Sequence, residues 1–161
     1  MFRALLVALL AAACSPSSPT ENAAGPAAAE PPQLPEAAPA PPILPADATA
    51  VIDAGSIEGE WRVAGVAGQP LSQPFGISAT IREGSIRFVS PCITRRYGLE
   101  ISGGLATARL MTNETPDCVR ALTIDERGLE RAMGQVKTAY RLPSKALVLD
   151  GPAGAVTLFT Q

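Results

Sequence analysis

The sequence predicts an α+β domain in which a curved antiparallel sheet of short strands packs on one main helix, after a disordered linker. Three observations predict it. Between about residues 54 and 161, short runs of alternating apolar residues are separated by glycine-containing turns, as in antiparallel strands. One segment, residues 122–136, instead carries apolar residues at helical intervals. Before these strand and helix segments, residues 15–50 are rich in proline and alanine.

The first 13 residues have the layout of a signal peptide. Arg3 provides a basic start, residues 4–13 are uninterruptedly apolar, and three alanines precede Cys14. This apolar run is too short to cross a bilayer as a helix, which needs about 20 residues. The run from Leu10 to Cys14 resembles a bacterial lipobox, in which the chain is cut before a cysteine that receives lipid. We therefore expect residues 1–13 to be a lipoprotein signal peptide and Cys14 to be lipidated.

Residues 14–52 are predicted to be a disordered linker. Ten of the sixteen prolines lie between Pro16 and Pro45, mixed with alanine and serine. Proline cannot donate a backbone hydrogen bond, and alanine buries too little apolar surface to offset chain entropy. A proline-rich segment is extended, at about 3.1 Å per residue, so it can hold a domain at a distance from a membrane anchor.

Residues 53–161 are expected to form the folded domain, and its first half is predicted to be strands. Trp61 and Val63 begin the first strand, and alternating residues on either side of Glu83-Gly84 predict a hairpin with one wet and one dry face. A turn at Gly103 separates two further runs. The alternating apolar residues are Ile77, Ala79, Ile81, Ile86, Phe88, Tyr97, Leu99, Ile101 and several within residues 105–111.

The apolar period then changes to that of a helix. Leu129, Met133 and Val136 form one stripe at helical spacing, which is typical of core packing. Asp125 and Glu126 suit a helix start, where the backbone N–H groups favour negative charge. Strands return near the end of the chain. Their apolar residues are Tyr140, Leu142, Leu147, Leu149, Val156, Leu158 and Phe159.

Composition excludes several classes of function. The chain has no histidine, which excludes Ser-His-Asp and Cys-His catalysis and any histidine-ligated metal. Its net charge is −2 and it has no block of basic residues, so nucleic acid is not expected as a partner. The carboxylates Asp125, Glu126 and Glu130 are interpreted as capping and solubility residues. Asp117 lacks further metal ligands. We predict a protein that is not an enzyme and holds no metal or cofactor.

The cysteines and three surface candidates complete the predicted sites. With Cys14 assigned to lipid, Cys92 and Cys118 remain, and an oxidising compartment would let them pair; the alternative is two separate buried thiols. Arg95 and Arg96 follow Cys92 closely and could hold a phosphate, a carboxylate or an acidic partner, with a solvated strand end as the alternative. Trp61, the only tryptophan, is either a stacking platform for a ligand or a core residue.

A family resemblance runs from Trp61 to the end of the chain. It rests mainly on the positions Glu126, Leu129, Met133, Val136, Tyr140, Leu142, Leu147, Leu149 and the closing run of residues 154–159. In this order they resemble the META domain, also called HslJ-like, of bacterial envelope and stress-associated proteins. Members carry Gly-Cys-Asn where Pro91-Cys92-Ile93 stands here, so the cysteine matches while its neighbours differ. The resemblance implies the fold described above, a Cys92–Cys118 disulfide, an envelope setting and a role in stress or drug tolerance.

These observations together predict a non-enzymatic envelope lipoprotein that acts as a tethered binding module. Its partners would be the membrane, through the lipid anchor, and an envelope protein or small ligand. Ser15 after the lipidated cysteine favours the outer membrane of a Gram-negative cell, with the domain facing the periplasm. Two alternatives stay open. One is an inhibitor of an envelope or host hydrolase, such as a lysozyme or a protease, that uses a loop over residues 113–117. The other is a lipocalin-like carrier with an apolar cavity.

Overall fold

The computed structural model describes residues 42–114 and 118–161. The predicted signal peptide, the lipidation site Cys14 and the linker up to residue 41 lie outside these residues. In the described part of the chain, no helix is both long enough and apolar enough to cross a membrane. The sheet begins at Thr49–Ala50, inside the range predicted to be linker, and the following Val51 is buried.

The described residues form ten strands, one α-helix and one 3-10 turn. The strands are β1 (Thr49–Ala50), β2 (Gly59–Val66), β3 (Gln69–Pro70), β4 (Ser78–Arg82), β5 (Ser85–Val89), β6 (Thr94–Ser102), β7 (Leu105–Glu114), β8 (Thr138–Arg141), β9 (Leu147–Asp150) and β10 (Val156–Thr160). The helix α1 spans Ile124–Met133, and the 3-10 turn spans Gly55–Ile57.

All ten strands belong to one antiparallel sheet that closes on itself. The strand order is β1-β8-β7-β6-β5-β4-β2-β10-β9, and β8 also pairs with β9, which completes the ring. β3 pairs with β2 outside this order. The join between β7 and β8 is narrow, because only Leu105 and Thr138 are paired there. In the described residues the rest of β7, from Thr107 to Glu114, pairs on one side only, with β6.

The predicted α+β class is wrong, because the fold is β-rich. α1 has only ten residues, ends at Met133 and does not form a layer beside the sheet. Val136, read from the sequence as part of the helical stripe, lies beyond the helix end and is buried in the segment that leads to β8. The sheet buries most of its apolar side chains inside its own closed ring. It therefore needs no helical layer to cover an inner face.

The predicted hairpin around Glu83-Gly84 is confirmed. β4 and β5 pair in register, and Glu83 and Gly84 both have positive φ, of 49° and 64°. Two consecutive residues with positive φ make the tight turn whose twist matches that of the flanking strands. The next connection, from β5 to β6, is a four-residue turn in which the Ser90 N–H donates to the carbonyl oxygen of Ile93 at 3.0 Å.

The interior of the closed sheet is filled by large apolar side chains. The largest of those with less than 2% exposure are Trp61, Phe88, Ile57, Ile77, Ile81, Ile86, Ile93, Leu99, Leu129, Met133, Leu147 and Leu149. Most of them come from alternate positions of the strands, as the sequence predicts for residues that face a core. α1 contributes Leu129 and Met133 to the same core. Phe88 and Tyr97 meet edge to face, with ring centres 6.2 Å apart.

α1 begins at a capping box. The Thr123 hydroxyl accepts a hydrogen bond from the Glu126 N–H, and the Glu126 carboxylate accepts one from the Thr123 N–H at 2.8 Å. This pair satisfies two backbone donors that a helix start leaves open. The helix lies close to the end of β2, because a methyl group added at Gly128 would come within 3.0 Å of the Val66 side chain. The middle of the helix therefore packs against the end of β2.

Candidate interaction surface

Trp61, one of the predicted partner-binding residues, lies in the core. It is 1% exposed, and its Nε1–H donates to the carbonyl oxygen of Ile57 at 3.0 Å. The guanidinium carbon of Arg141 lies 5.3 Å from the centre of the ring. Since the indole is enclosed and its one donor is used, the ring is not presented to an external ligand.

Arg95 is also directed inward. It is 4% exposed, and its Nη2 and Nε atoms lie 2.6 and 2.7 Å from Oε1 of Glu130 on α1. Its Nη1 donates to the carbonyl oxygen of Glu114 at 2.9 Å. The side chain therefore links β6 to the helix and to the end of β7. These contacts give Arg95 a structural role and leave it no surface to present.

Arg96 points the opposite way, because consecutive side chains in a strand lie on opposite faces of the sheet. It is exposed, and its Nε–H donates to the Ser85 hydroxyl at 3.3 Å. Its neighbour on the outer face is Arg87 of β5, which stands directly opposite it in the antiparallel register. The Cβ atoms of such a pair are about 4.5–5.5 Å apart. Two arginines thus lie side by side on the surface.

No carboxylate neutralises this pair within the described residues. The ion pairs found there join Arg82 to Glu60, Arg95 to Glu130 and Arg120 to Glu126, so they include neither Arg87 nor Arg96. Like charges placed directly opposite in a sheet are destabilising. The pair is therefore an unneutralised concentration of positive charge on an otherwise acidic protein.

Arg109 of β7 extends this charge to a third strand. It is exposed, and it stands opposite Gly98, which lies two positions from Arg96 on the same face of β6. No ion pair in the described ranges includes Arg109. We call Arg87, Arg96 and Arg109 the arginine face. Glu114, opposite Thr94, lies diagonally from Arg96 on this face, outside ion-pair distance.

A shallow hollow adjoins the arginine face. Its volume is about 530 Å³, and it is lined by Gly98, Glu100, Thr107, Arg109, Leu110 and Met111. Leu110 and Met111 are 48% and 60% exposed. Gly98 lies beside the Met111 side chain, because a methyl group added at Gly98 would make an ordinary contact with the Met111 sulfur at 3.5 Å. Positive charge and accessible apolar surface therefore meet at the same place on β6 and β7.

The carboxylates near the helix start are all engaged in structural contacts. Asp125 accepts hydrogen bonds from the backbone N–H and the hydroxyl of Ser72, both at 2.9 Å. Glu130 pairs with Arg95. Glu126 is fully buried and accepts a hydrogen bond from the Ser90 hydroxyl at 2.6 Å. No two of them face each other across a cleft, which is the arrangement that acid–base catalysis would need.

The electrostatics of Glu126 reinforce this structural reading. Burial alone would raise the pKa of Glu126, but hydrogen bonds from Arg120, Ser90 and the Thr123 backbone outweigh it and lower the pKa to about 2. The carboxyl is therefore ionised at neutral pH and cannot serve as a general acid. On the inner side of β6, burial raises the pKa of Tyr97 to about 12, with Glu130 adding to the effect.

Cys92 and Cys118 are joined as a disulfide, with their Cα atoms 5.5 Å apart. The bond ties the β5–β6 turn to the segment that precedes α1. Of the loop proposed for hydrolase inhibition, Asn113 and Glu114 form the exposed end of β7, and residues 115–117 lie outside the described residues. In the ranges 42–114 and 118–161, no three His, Cys, Asp or Glu side chains are grouped so that they could hold a metal ion.

No protein-family model, no curated protein and no solved structure matches this chain. The resemblance to the META domain therefore stays a prediction from the sequence.

Of the arginine face, the sequence predicts Arg96 and does not predict Arg87 or Arg109. Arg96 is predicted together with Arg95 because the two are consecutive, yet the strand period places them on opposite sides. The β5–β6 turn of four residues was the usable signal, because it sets the register that brings Arg87 to Arg96. Arg109 carried no such signal, since an irregularity in the β6–β7 register shifts the faces between Arg96 and Tyr97.

Proposed function

We propose that this chain is a lipid-anchored protein of the bacterial cell envelope, whose closed-sheet domain is a non-enzymatic interaction module that binds an anionic partner through the arginine face. The lipobox-like run before Cys14 supports the anchor, and the proline-rich stretch supports a tether. The absence of histidine and the structural engagement of Asp125, Glu126 and Glu130 support a role without catalysis.

One observation carries the binding proposal: Arg87 stands opposite Arg96 on an exposed face, and no carboxylate of residues 42–114 and 118–161 forms an ion pair with either. Guanidinium groups bind phosphate and carboxylate oxygens through paired N–H donors. An oxyanion placed between the two side chains would convert their mutual repulsion into attraction. Binding would therefore relieve the repulsion between Arg87 and Arg96 that is present in the free protein.

The anchor is tested by the intact mass of the protein from the membrane fraction. We expect a chain that begins at a diacylated or triacylated Cys14. We also expect Cys92 and Cys118 to react with an alkylating agent only after reduction. A full-length, unlipidated chain with three free thiols would contradict the anchor and the compartment together.

The binding face is tested with the oxidised mature chain carrying Cys14→Ser and labelled with ¹⁵N. Inorganic pyrophosphate is the probe, and the Nε–Hε signals of the arginines are the readout. We expect the Arg87 and Arg96 signals to shift in a saturable manner. The double variant Arg87→Gln/Arg96→Gln should lose the response.

The matched control removes the same charge from another surface. Arg127 and Arg131 are exposed on α1, so Arg127→Gln/Arg131→Gln lowers the net charge equally while leaving the arginine face intact. It should retain the pyrophosphate response. Equal losses in both double variants would mean that binding follows net charge alone, and the proposed face would be wrong.

A further inference from the structure

The identity of the anionic partner can be narrowed, on the condition that the proposed function holds. The arginine face offers more than charge, because Met111 and Leu110 expose apolar side chains beside it. A ligand that used only its negative charge would leave this apolar surface in water. The combination instead fits a partner that presents anionic groups and an apolar layer next to each other.

The predicted tether supplies the second argument. Twenty-seven residues separate Cys14 from Pro42, the first described residue. At about 3.1 Å per residue, an extended proline-rich segment of this length reaches about 80 Å. A domain anchored in this way stays near the surface of its own membrane. Because tethering turns an encounter into an intramolecular event, even a weak surface contact becomes populated.

Charge complementarity supplies the third. Bacterial membranes carry anionic phosphate headgroups, which attract arginine side chains at short range. The protein as a whole has a net charge of −2, so only a local positive area can approach such a surface. Among the arginines of the described strands, Arg62, Arg87, Arg96 and Arg109 combine an exposed position with the lack of an ion-pair partner. Arg62 has no arginine opposite it, because its strand partners are Ser78 and Phe159, whereas Arg87 and Arg96 stand opposite each other.

We infer that the arginine face docks the domain onto a membrane surface that carries anionic phospholipid headgroups. Arg87 and Arg96 contact headgroup phosphates, and Met111 enters the boundary between headgroups and acyl chains. Proteins that lie on membranes commonly combine these two kinds of contact. The tether then sets the range of the domain, and the arginine face sets which side of it meets the lipid.

The test uses the oxidised mature chain with Cys14→Ser, so that no lipid on the protein contributes. Its co-flotation is measured with vesicles of phosphatidylcholine alone and with vesicles that contain about one third phosphatidylglycerol. We expect binding to the anionic vesicles only, with a loss at high salt, because screening weakens the attraction of headgroups for arginine. Arg87→Gln/Arg96→Gln should lower the partition coefficient by about tenfold or more.

Two further variants locate the contact. Arg127→Gln/Arg131→Gln should bind the anionic vesicles as the parent does. Met111→Ser should weaken binding severalfold while leaving its salt dependence unchanged, because it removes apolar contact and no charge. Urea unfolding of each variant establishes that it is folded. Equal binding to both kinds of vesicle, or equal losses in both double variants, would overturn the inference.

The remaining outcomes separate this inference from the proposed function. A pyrophosphate response at Arg87 and Arg96 without vesicle binding would overturn membrane docking and leave the anionic interaction module in place. Binding to soluble polyglutamate but not to vesicles would identify an acidic protein as the partner class. The absence of both responses would remove the binding face altogether. An unlipidated native Cys14 would remove the anchor, while vesicle binding of the Cys14→Ser chain would still report on the face.

Discussion

Both sides of the β5–β6 hairpin carry arginine side chains, but the arginine is buried and paired on the inner side and exposed on the outer side. On the inner side, Arg95 is 4% exposed and is paired with Glu130. On the outer side, Arg96 is exposed and stands opposite Arg87, and no carboxylate in the part of the chain that the structure describes forms an ion pair with either. The two environments belong to consecutive residues, because the strand alternates its side chains between core and solvent.

The difference shows how charge can be assigned to stability or to binding. A buried charge must be neutralised within the fold, since an unpaired one would be strongly unfavourable. An exposed charge can stay unneutralised, because water screens it until a partner arrives. We therefore expect changes on the inner side of the hairpin to alter stability and changes on the outer side to alter binding.

Arg95→Ala should cause the largest loss of stability. It leaves Glu130 without its buried partner and the Glu114 carbonyl oxygen without a donor. Breaking a buried ion pair by removing one side lowers the free energy of unfolding by about 3–5 kcal/mol. Arg96→Ala, one position along, should change it by no more than about 0.5 kcal/mol, as is usual for an exposed residue. Urea unfolding followed by circular dichroism measures both. Similar losses in the two variants would abolish the proposed contrast.

Removal of the Cys92–Cys118 disulfide should follow in size. The two cysteines are 26 residues apart, and closing a loop of this length stabilises the folded state by about 3–4 kcal/mol in the chain-entropy model. In the Cys14→Ser background, a reductant acts on this bond alone. We expect the urea midpoint of the parent to fall when reductant is added. The urea midpoint of Cys92→Ser/Cys118→Ser should not respond to reductant. A midpoint insensitive to reductant in the parent would show that the bond contributes nothing.

Glu126 should make stability depend on acid. Its pKa of about 2 in the folded protein lies below its ordinary value of 4.5. A lowered folded-state pKa means that the unfolded chain takes up the proton first as the pH falls. The stabilisation is therefore complete above pH 4.5 and is lost as the pH approaches 2. Each unit of difference corresponds to about 1.4 kcal/mol, so the loss is on the order of 3 kcal/mol.

The variant Glu126→Gln isolates this effect. It should be less stable than the parent at neutral pH, because the amide cannot form the charged pair with Arg120. The difference in unfolding free energy between parent and variant should narrow as the pH falls from 4.5 towards 2. A difference that stayed constant over this interval would show that the Glu126 carboxyl does not titrate as described.

The sequence predicts individual elements of the fold better than it predicts the fold class. Alternation at Ile77, Ile81, Ile86 and Phe88 identified the β4–β5 hairpin, because one face of each strand is buried. The class was wrong because closure depends on pairings between strands far apart in the chain. β2 pairs with β10, and β8 pairs with β9 as well as β7, and no local pattern encodes these contacts.

The residues of the candidate site are likewise only partly predictable from the sequence. Arg96 was accessible to sequence reasoning, whereas Arg87 required the strand register. Trp61 could not be assigned to core or surface from the sequence alone, because a single indole suits either place. Its burial follows from its position on the inner face of β2, where the Ile57 carbonyl oxygen accepts the hydrogen bond from its Nε1–H. Periodicity therefore predicts which face a residue occupies only after the strand and its register are known.

The smallest effect is the most informative about function. Arg87→Thr removes the like charge opposite Arg96 and places a residue with high β-propensity in the strand. We expect the free energy of unfolding to rise by a few tenths of a kcal/mol, since cross-strand pairs are worth about 0.2–1 kcal/mol. The same variant should bind pyrophosphate and anionic vesicles more weakly. Urea unfolding and the two binding assays, done on one sample, measure these opposite changes.

Arg82→Thr is the matched control, because Arg82 lies on the outer face of β4 but already pairs with Glu60 at 3.4 Å. Losing that exposed ion pair should lower stability by no more than about 0.5 kcal/mol and leave binding unchanged. If the loss of Arg87 stabilises the fold and weakens binding, then Arg87 serves the binding of a partner and not the stability of the fold. If Arg87→Thr instead lowered stability and left binding intact, the opposed arginines would belong to the structure, and the division between the two sides of the hairpin would fail.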